Sequence, residues 1–299
     1  ANINLLSEVT LARALHAEGV GLYRSEFPFI VRSILPTEEE QRRVYEQLFE
    51  QMDGRPVYVR TLDVGGDKIL PYLNLPEEAN PELGLRSIRF LLKHQDVFDQ
   101  QLRAILRAGH KLERVGIMFP MISSLDDFEQ ARQAVYDVMT DLAREGLDHA
   151  QNPAIGAMIE MPSVLAVIDE LAAAADFFSI GTNDFIQYML AVDRTNEKVA
   201  HYYQPFHPAI LRTLAHLVAR VRSFGKAVSV CGEVAHDTEY IPFLLGIGIR
   251  RLSVDPQFLP TVQHTISEIS LARAQSYAQA LLAAPSLRQV TAIKQAWTF

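Results

Sequence analysis

The sequence predicts an α/β protein built as a (β/α)₈ barrel, and three observations predict it. Eight short apolar runs recur along the 299 residues, at 1–4, 20–23, 57–60, 115–119, 155–159, 177–180, 227–230 and 250–254. Stretches of helical period separate them, at 8–18, 37–52, 83–92 with 97–108, 125–145, 163–172, 208–224 and 238–245, with a last one from about 258 to 282. The runs are solidly apolar rather than alternating, as strands buried on both faces require. Alternation of strand and helix demands a parallel sheet, and eight strands are the number that closes one into a barrel. An open doubly wound sheet fits less well, because no G-x-G-x-x-G follows the first run.

Helix starts are well marked. Thr37 offers a capping hydroxyl ahead of Glu38, Glu39 and Glu40, and Ser124 does the same ahead of Asp126 and Asp127. Residues 65–81 hold three prolines and no period, which reads as a long loop after the third strand. Residues 285–299 read as a short terminal helix. The whole of 1–299 is expected to be one barrel domain. Because the chain opens on Ala1 rather than Met, a fragment of a longer protein is expected.

With 48% apolar residues the chain can bury a large core, and disorder is excluded as a general state. A net charge of −8 argues against nucleic acid or an anionic membrane as the partner, though a few arginines suffice for a local anion site. One cysteine excludes an internal disulfide and fits a reducing cytoplasm. No apolar stretch approaches the roughly 20 residues that span a bilayer.

In a barrel enzyme the reactive groups sit at the C-terminal ends of the strands. Here the second run ends in Arg24-Ser25-Glu26, and the third in Arg60-Thr61-Leu62-Asp63 followed by Gly65-Gly66-Asp67-Lys68. The fifth ends in Glu160, the sixth in Gly181-Thr182-Asn183-Asp184 and the seventh in Cys231-Gly232-Glu233. Glu160 and Asp184 are two hard oxygen donors on neighbouring strands, a set that suits Mg²⁺; paired strand-end acids are the plainer alternative. Arg24, Arg60, Arg86 and Arg194 suggest capture of a small, strongly anionic ligand, since guanidinium forks bind carboxylate and phosphate bidentately. Structural ion pairing explains most arginines, and for Arg86 and Arg194 the two readings weigh equally. The turn at Gly181–Asp184 leads into a helix whose free N–H groups can cradle phosphate, or simply be capped. Cys231 is either a small buried hydrophobe or a thiol able to give a proton to carbon. The nine histidines lie outside glycine-rich loops and read as surface or packing residues.

In order, the stretches GVGLYRSEFPF, RTLDVGGDK, NPELGLRSIR, IMFPMI, IGAMIEMPS, DFFSIGTNDFIQYMLAVDRTN and SVCGEVAHD run from Gly19 to Asp237. This series resembles the phosphoenolpyruvate (PEP)-binding domain shared by Enzyme I of the bacterial phosphotransferase system, pyruvate phosphate dikinase and PEP synthase. YRSEF, TLDVGGDK and GTNDFIQYMLAVDR lean towards Enzyme I, whether of the sugar system or its nitrogen-regulatory relative. The resemblance implies that Arg24, Arg60, Arg86 and Arg194, with Asn183, hold the phosphate and carboxylate of PEP. It implies Mg²⁺ on Glu160 and Asp184, and Cys231 as the group that protonates C3 of the enolate to give pyruvate. It further implies a phosphoryl-accepting histidine on a separate swivelling domain, a downstream phosphocarrier protein and a homodimer. One departure stands out: where the family usually carries Gly after the Ala of CGE-x-A, this sequence has His236, which could tune Cys231 or fill the loop. Two other readings remain, an Mg²⁺-dependent aldolase or lyase of pyruvate-like acids, and a PEP-sensing regulatory barrel.

Overall fold

The computed structural model describes residues 1–65 and 78–297, which fall into two compact units, Ala1–Met158 and Ile159–Phe299. The first unit carries β1 (Asn2–Ile3), α1 (Ser7–Ala14), β2 (Val20–Arg24), α2 (Phe27–Ile30), α3 (Glu38–Met52) and β3 (Val57–Arg60). It continues with α4 (Ile88–Lys93), α5 (Gln95–Ala108), β4 (Gly116–Phe119), α6 (Leu125–Arg144) and β5 (Ala154–Ile159), whose last residue begins the second unit. All of its strand pairings are parallel and follow chain order, with Asn2 opposite Leu22, Arg24 opposite Arg60, Val59 opposite Ile117 and Ile117 opposite Ile155. The chain therefore has the α/β, parallel-sheet architecture that the buried apolar runs dictate.

Local chemistry sets the helix boundaries as expected. Thr37 closes a capping box with Glu40 at the start of α3, and the Ser124 hydroxyl accepts from the Asp127 N–H at the start of α6. The helices bury one face each. Phe98 of α5 meets Phe119 of β4 edge-on at 6.0 Å, and Phe119 meets Phe128 of α6 at 6.1 Å. That aromatic chain fixes both helices against the strand, in the geometry ring quadrupoles prefer.

The second unit carries β6 (Phe177–Gly181), α7 before it (Ile168–Ala174), α8 (Thr182–Leu190), α9 (Pro208–Ser223) and β7 (Ala227–Cys231). Then come α10 (Ile241–Gly246), α11 (Leu259–Glu268), α12 (Leu271–Ala283) and α13 (Leu287–Ala296). β6 and β7 run parallel in unbroken register, from Phe177 opposite Ala227 to Gly181 opposite Cys231.

Four expectations need correcting. The eighth run, 250–254, forms no strand and contributes one isolated bridge, Val230 to Leu252, so the described residues hold seven strands rather than a closed eight. Residues 81–83 and 162–166 are 3₁₀ turns, so the helices expected from 83 and 163 begin only at Ile88 and Ile168. The helix expected over 258–282 breaks at Ser270, whose hydroxyl caps α12. A short helix, α2, stands where none was expected. The long loop expected over 65–81, with Gly66, Asp67 and Lys68, lies mostly outside the described residues.

No helix among the described residues is long and apolar enough to cross a membrane. In the second unit α10 packs tightly on α12 at Gly246, where a Cβ would meet Ala278 Cβ at 2.6 Å and the Ala274 carbonyl closer still. The neighbours are backbone and a methyl group, with no flexible side chain to yield. Gly246→Ala is expected to cost about 1–3 kcal/mol through overpacking, read as a lowered midpoint in urea.

Candidate active site

In the first unit the parallel register puts Arg24 and Arg60 directly opposite each other, each the last residue of its strand. Arg24 is half-buried and its Nη1 donates to Asn4 Oδ1, just past β1, at 3.3 Å. Arg60 is buried and donates to the buried Glu26, and a second carboxylate, Asp63, lies 3.2 Å away. Asp63 also holds Arg86, accepting from Nε at 3.2 Å and from Nη2 at 3.4 Å, and Ser87 donates its hydroxyl to the same carboxylate. Arg86 is paired a second time, with Glu82. Three of the four arginines singled out in the sequence are thus gathered at adjoining strand ends, two of them sharing one acid.

Three guanidinium groups and three carboxylates stand together here, and the Arg60 and Arg86 guanidinium groups rest on the acids. Buried guanidinium groups need such partners, because an uncompensated charge out of water costs several kcal/mol. Sequence reasoning missed Glu26, Asp63 and Glu82 as partners. Asp63 stands three residues from Arg60 and Glu82 four from Arg86, whereas the Glu26–Arg60 and Asp63–Arg86 pairs span 34 and 23 positions and leave no local pattern. Ser87 adopts φ 54° and ψ −124°, and Met121, after β4, adopts φ 57°. Non-glycine residues reach such conformations at a cost of order 1–3 kcal/mol, and both occur beside strand ends.

The second unit gathers the remaining residues. Glu160 follows β5 and is buried; its Oε1 lies 2.6 Å from where a Cβ on Gly181 would stand. Only the bare backbone at 181 leaves room for that carboxylate. Three residues on, Asp184 is buried in the first turn of α8 and accepts from Arg194 Nη1 at 2.8 Å. The start of α8 has no side-chain cap, so its leading N–H groups are not claimed by a capping side chain. Asn183 accepts from the Glu233 N–H at 2.9 Å, leaving its amide nitrogen only a 3.5 Å contact with the exposed Glu233 carboxylate.

Cys231 ends β7 opposite Gly181 and is 2% exposed. Its Sγ receives the Ser179 hydroxyl at 3.4 Å and donates to the Ile180 carbonyl at 3.5 Å. A carbonyl acceptor holds the proton on sulfur, so the group is set as a thiol, able to give a proton. His236 lies stacked on Phe258, with ring centres 4.0 Å apart and planes 6° from parallel. The stack supports the loop-filling role for this histidine. Tyr203 donates to the Asn183 carbonyl at 3.3 Å. Burial, only partly offset by the nearby Arg194, pushes its phenol well above the ordinary range and keeps it a donor at neutral pH.

Among the described residues no group of three or more His, Cys, Asp or Glu gathers as a metal cage. The donor set at this end of the second unit is two carboxylates. Two carboxylates are what Mg²⁺ commonly takes from protein when waters and substrate oxygens complete its shell, so the residues fit that ion.

Both units are thus parallel β/α structures with buried charged groups or a thiol at or just beyond their strand ends. A family model described as the PEP-binding domain of PEP-utilising enzymes matches residues 1–271, and the chain belongs to that family. Phosphoenolpyruvate-protein phosphotransferase of Geobacillus stearothermophilus is 50% identical over 254 residues, covering 85% of this chain and 44% of that protein. Its namesakes in Bacillus sp. (strain S) and Bacillus subtilis (strain 168) are 45% and 42% identical over 97% and 98% of this chain, and over 50% and 51% of their own lengths. The chain spans about half the length of the curated relatives it matches. A citrate lyase of Burkholderia xenovorans superposes with a TM-score of 0.56 at 17% identity, covering 93% of this chain and 82% of its own, a likeness of fold alone.

Proposed function

We propose that the chain binds PEP and Mg²⁺ and supports transfer of the phosphoryl group to a histidine on a separate swivelling domain, with protonation of the enolate to pyruvate. The observation that carries this reading is the parallel register that ends β2 and β3 in Arg24 and Arg60, with Arg86 tied to Arg60 through Asp63. Such a set recognises an anion that presents two or more acidic groups, as PEP does with its phosphate and carboxylate. Arg24, Arg60, Arg86 and Arg194 hold those groups, and the Asn183 amide nitrogen donates to the phosphate. Glu160 and Asp184 hold Mg²⁺, which when bound supplies positive charge to the phosphoryl oxygens. Once the phosphoryl group has left, the Cys231 thiol gives its proton to C3 of the enolate, and the thiolate is reprotonated from solvent.

The same reading takes the two units as one (β/α)₈ barrel over 1–299, places the protein in the cytoplasm and gives it a downstream phosphocarrier and a homodimeric state. Phe27, Ile30, Val31 and Ile34 support the dimer, since a short stretch after β2 leaves all four exposed.

Titration calorimetry of PEP into the protein, with and without Mg²⁺ and alongside Glu160→Ala, tests the proposal. Expected is binding that strengthens with Mg²⁺ in the wild type and loses that dependence in the variant. Absence of PEP binding, with pyruvate plus an aldehyde binding instead, would turn the assignment to a lyase.

A further inference from the structure

Gln101 lies on α5, remote in sequence from both strand ends it touches, and has no exposed surface. Its Oε1 accepts from the Leu62 N–H at 2.9 Å, and its Nε2 donates to Ser25 Oγ at 3.0 Å and to Tyr45 Oη at 3.1 Å. A backbone N–H can only donate, so the amide oxygen must face Leu62 and both amide hydrogens must face hydroxyls. The group is fully satisfied, which removes most of the cost of burying a polar side chain. Removing it would leave a buried N–H without its acceptor.

The two strand-end partners give this amide its meaning. Ser25 directly follows Arg24, and Leu62 follows Arg60 by two residues. The backbone register between β2 and β3 ends at the Arg24–Arg60 pair. Immediately beyond it, the Gln101 side chain ties the two departing segments together and so sets the direction in which each leaves its arginine. The third bond, to Tyr45 on α3, anchors the amide from the outer side.

We infer that Gln101 is a positioning residue for Arg24 and Arg60: it holds two guanidinium groups at the separation a phosphorylated carboxylate needs, without touching that ligand. This rests on the reading of the site as a PEP site. The effect should appear in affinity, because a fork misplaced by an ångström loses its bidentate fit.

The experiment compares Gln101→Met, Gln101→Glu, Ser25→Ala and Tyr45→Phe with the wild type, using the whole chain, by PEP titration in the presence of Mg²⁺ and by thermal melting. Methionine keeps the length and loses every hydrogen bond, and PEP affinity is expected to fall by about 10- to 100-fold. Glutamate still accepts from Leu62, and the Ser25 and Tyr45 hydroxyls can turn to donate, so most of the affinity should return. Tyr45→Phe removes the outer anchor but leaves the strand ends joined; its melting point should drop while PEP affinity stays within about twofold of wild type. Ser25→Ala cuts one strand-end link and should weaken PEP, which keeps the question open to test if Gln101→Met does not fold. Unchanged PEP affinity in folded Gln101→Met, or in Ser25→Ala, overturns the inference. So does a loss in Tyr45→Phe as large as that in Gln101→Met, which would mark the amide as a plain core contact. A wild type that binds no PEP would instead sink the site assignment itself, and this inference with it.

Discussion

Arg60→Ala should abolish PEP binding and also remove roughly 3–5 kcal/mol of folding stability, a rare combination for a ligand-binding residue. The size reflects the charges that the guanidinium leaves behind. Glu26 and Asp63 are 4% and 1% exposed, and both lean on Arg60 for compensation. Losing it takes the buried ion pair from Glu26 and leaves Asp63 to Arg86 and Ser87, and breaking a buried pair costs far more than the pair contributed. Arg60→Lys separates the two effects. The ammonium keeps the charge and recovers part of the stability, but it cannot present a planar fork, so PEP affinity should remain far below wild type. Denaturant unfolding and calorimetry on the same samples check both halves. Wild-type affinity in Arg60→Lys would show that this arginine serves the fold alone.

Cys231→Ala should leave PEP affinity close to wild type and slow the release of pyruvate by about 10²- to 10⁴-fold, the range assigned to a positioned proton donor. The measurement is pyruvate formed from PEP with the acceptor domain supplied. Alanine in place of a small buried thiol disturbs packing little, since the sulfur's partners are the Ser179 hydroxyl and the Ile180 carbonyl, at 3.4 and 3.5 Å. Cys231→Ser should be almost as slow, because an alkyl hydroxyl gives up its proton far less readily than a thiol. If the alanine variant turns over at the wild-type rate, the proton comes from elsewhere and Cys231 is a packing residue.

The strands and their polar ends were legible in the sequence because buried parallel strands are written as continuous apolar runs. The residues just after each run must then lie at one end of the sheet. Run 250–254 misled because Arg250 and Arg251 precede its apolar residues; the Arg250 guanidinium instead binds the carbonyls of Leu245 and Ile249. Asp63 and Glu82 stand within four residues of Arg60 and Arg86, but the Glu26–Arg60 pair left no trace, since the two are far apart in the chain and only the fold brings them together. Gln101 does carry a signal that could have found it. It stands within the apolar stripe of α5 formed by Val97, Phe98, Leu102 and Ile105, where a polar residue must have a partner to be tolerated. For His236 the sequence left two readings, tuning Cys231 or filling the loop, and its stack on Phe258 supports the second.

Gly232 has φ 97°, and a side chain there would run into Thr182 and Asn183, with Asn183 Oδ1 at 2.7 Å. Thr182 in turn donates its hydroxyl to the Cys231 carbonyl at 2.7 Å, and Asn183 takes the Glu233 N–H. The segments 181–184 and 231–233 are therefore a single inheritable module. Neither can drift, be shuffled or be grafted onto another scaffold without its counterpart, and a library that randomises one while holding the other constant samples mostly misfits. Diversification of this end of the molecule has to proceed by paired exchange, with position 232 kept as glycine.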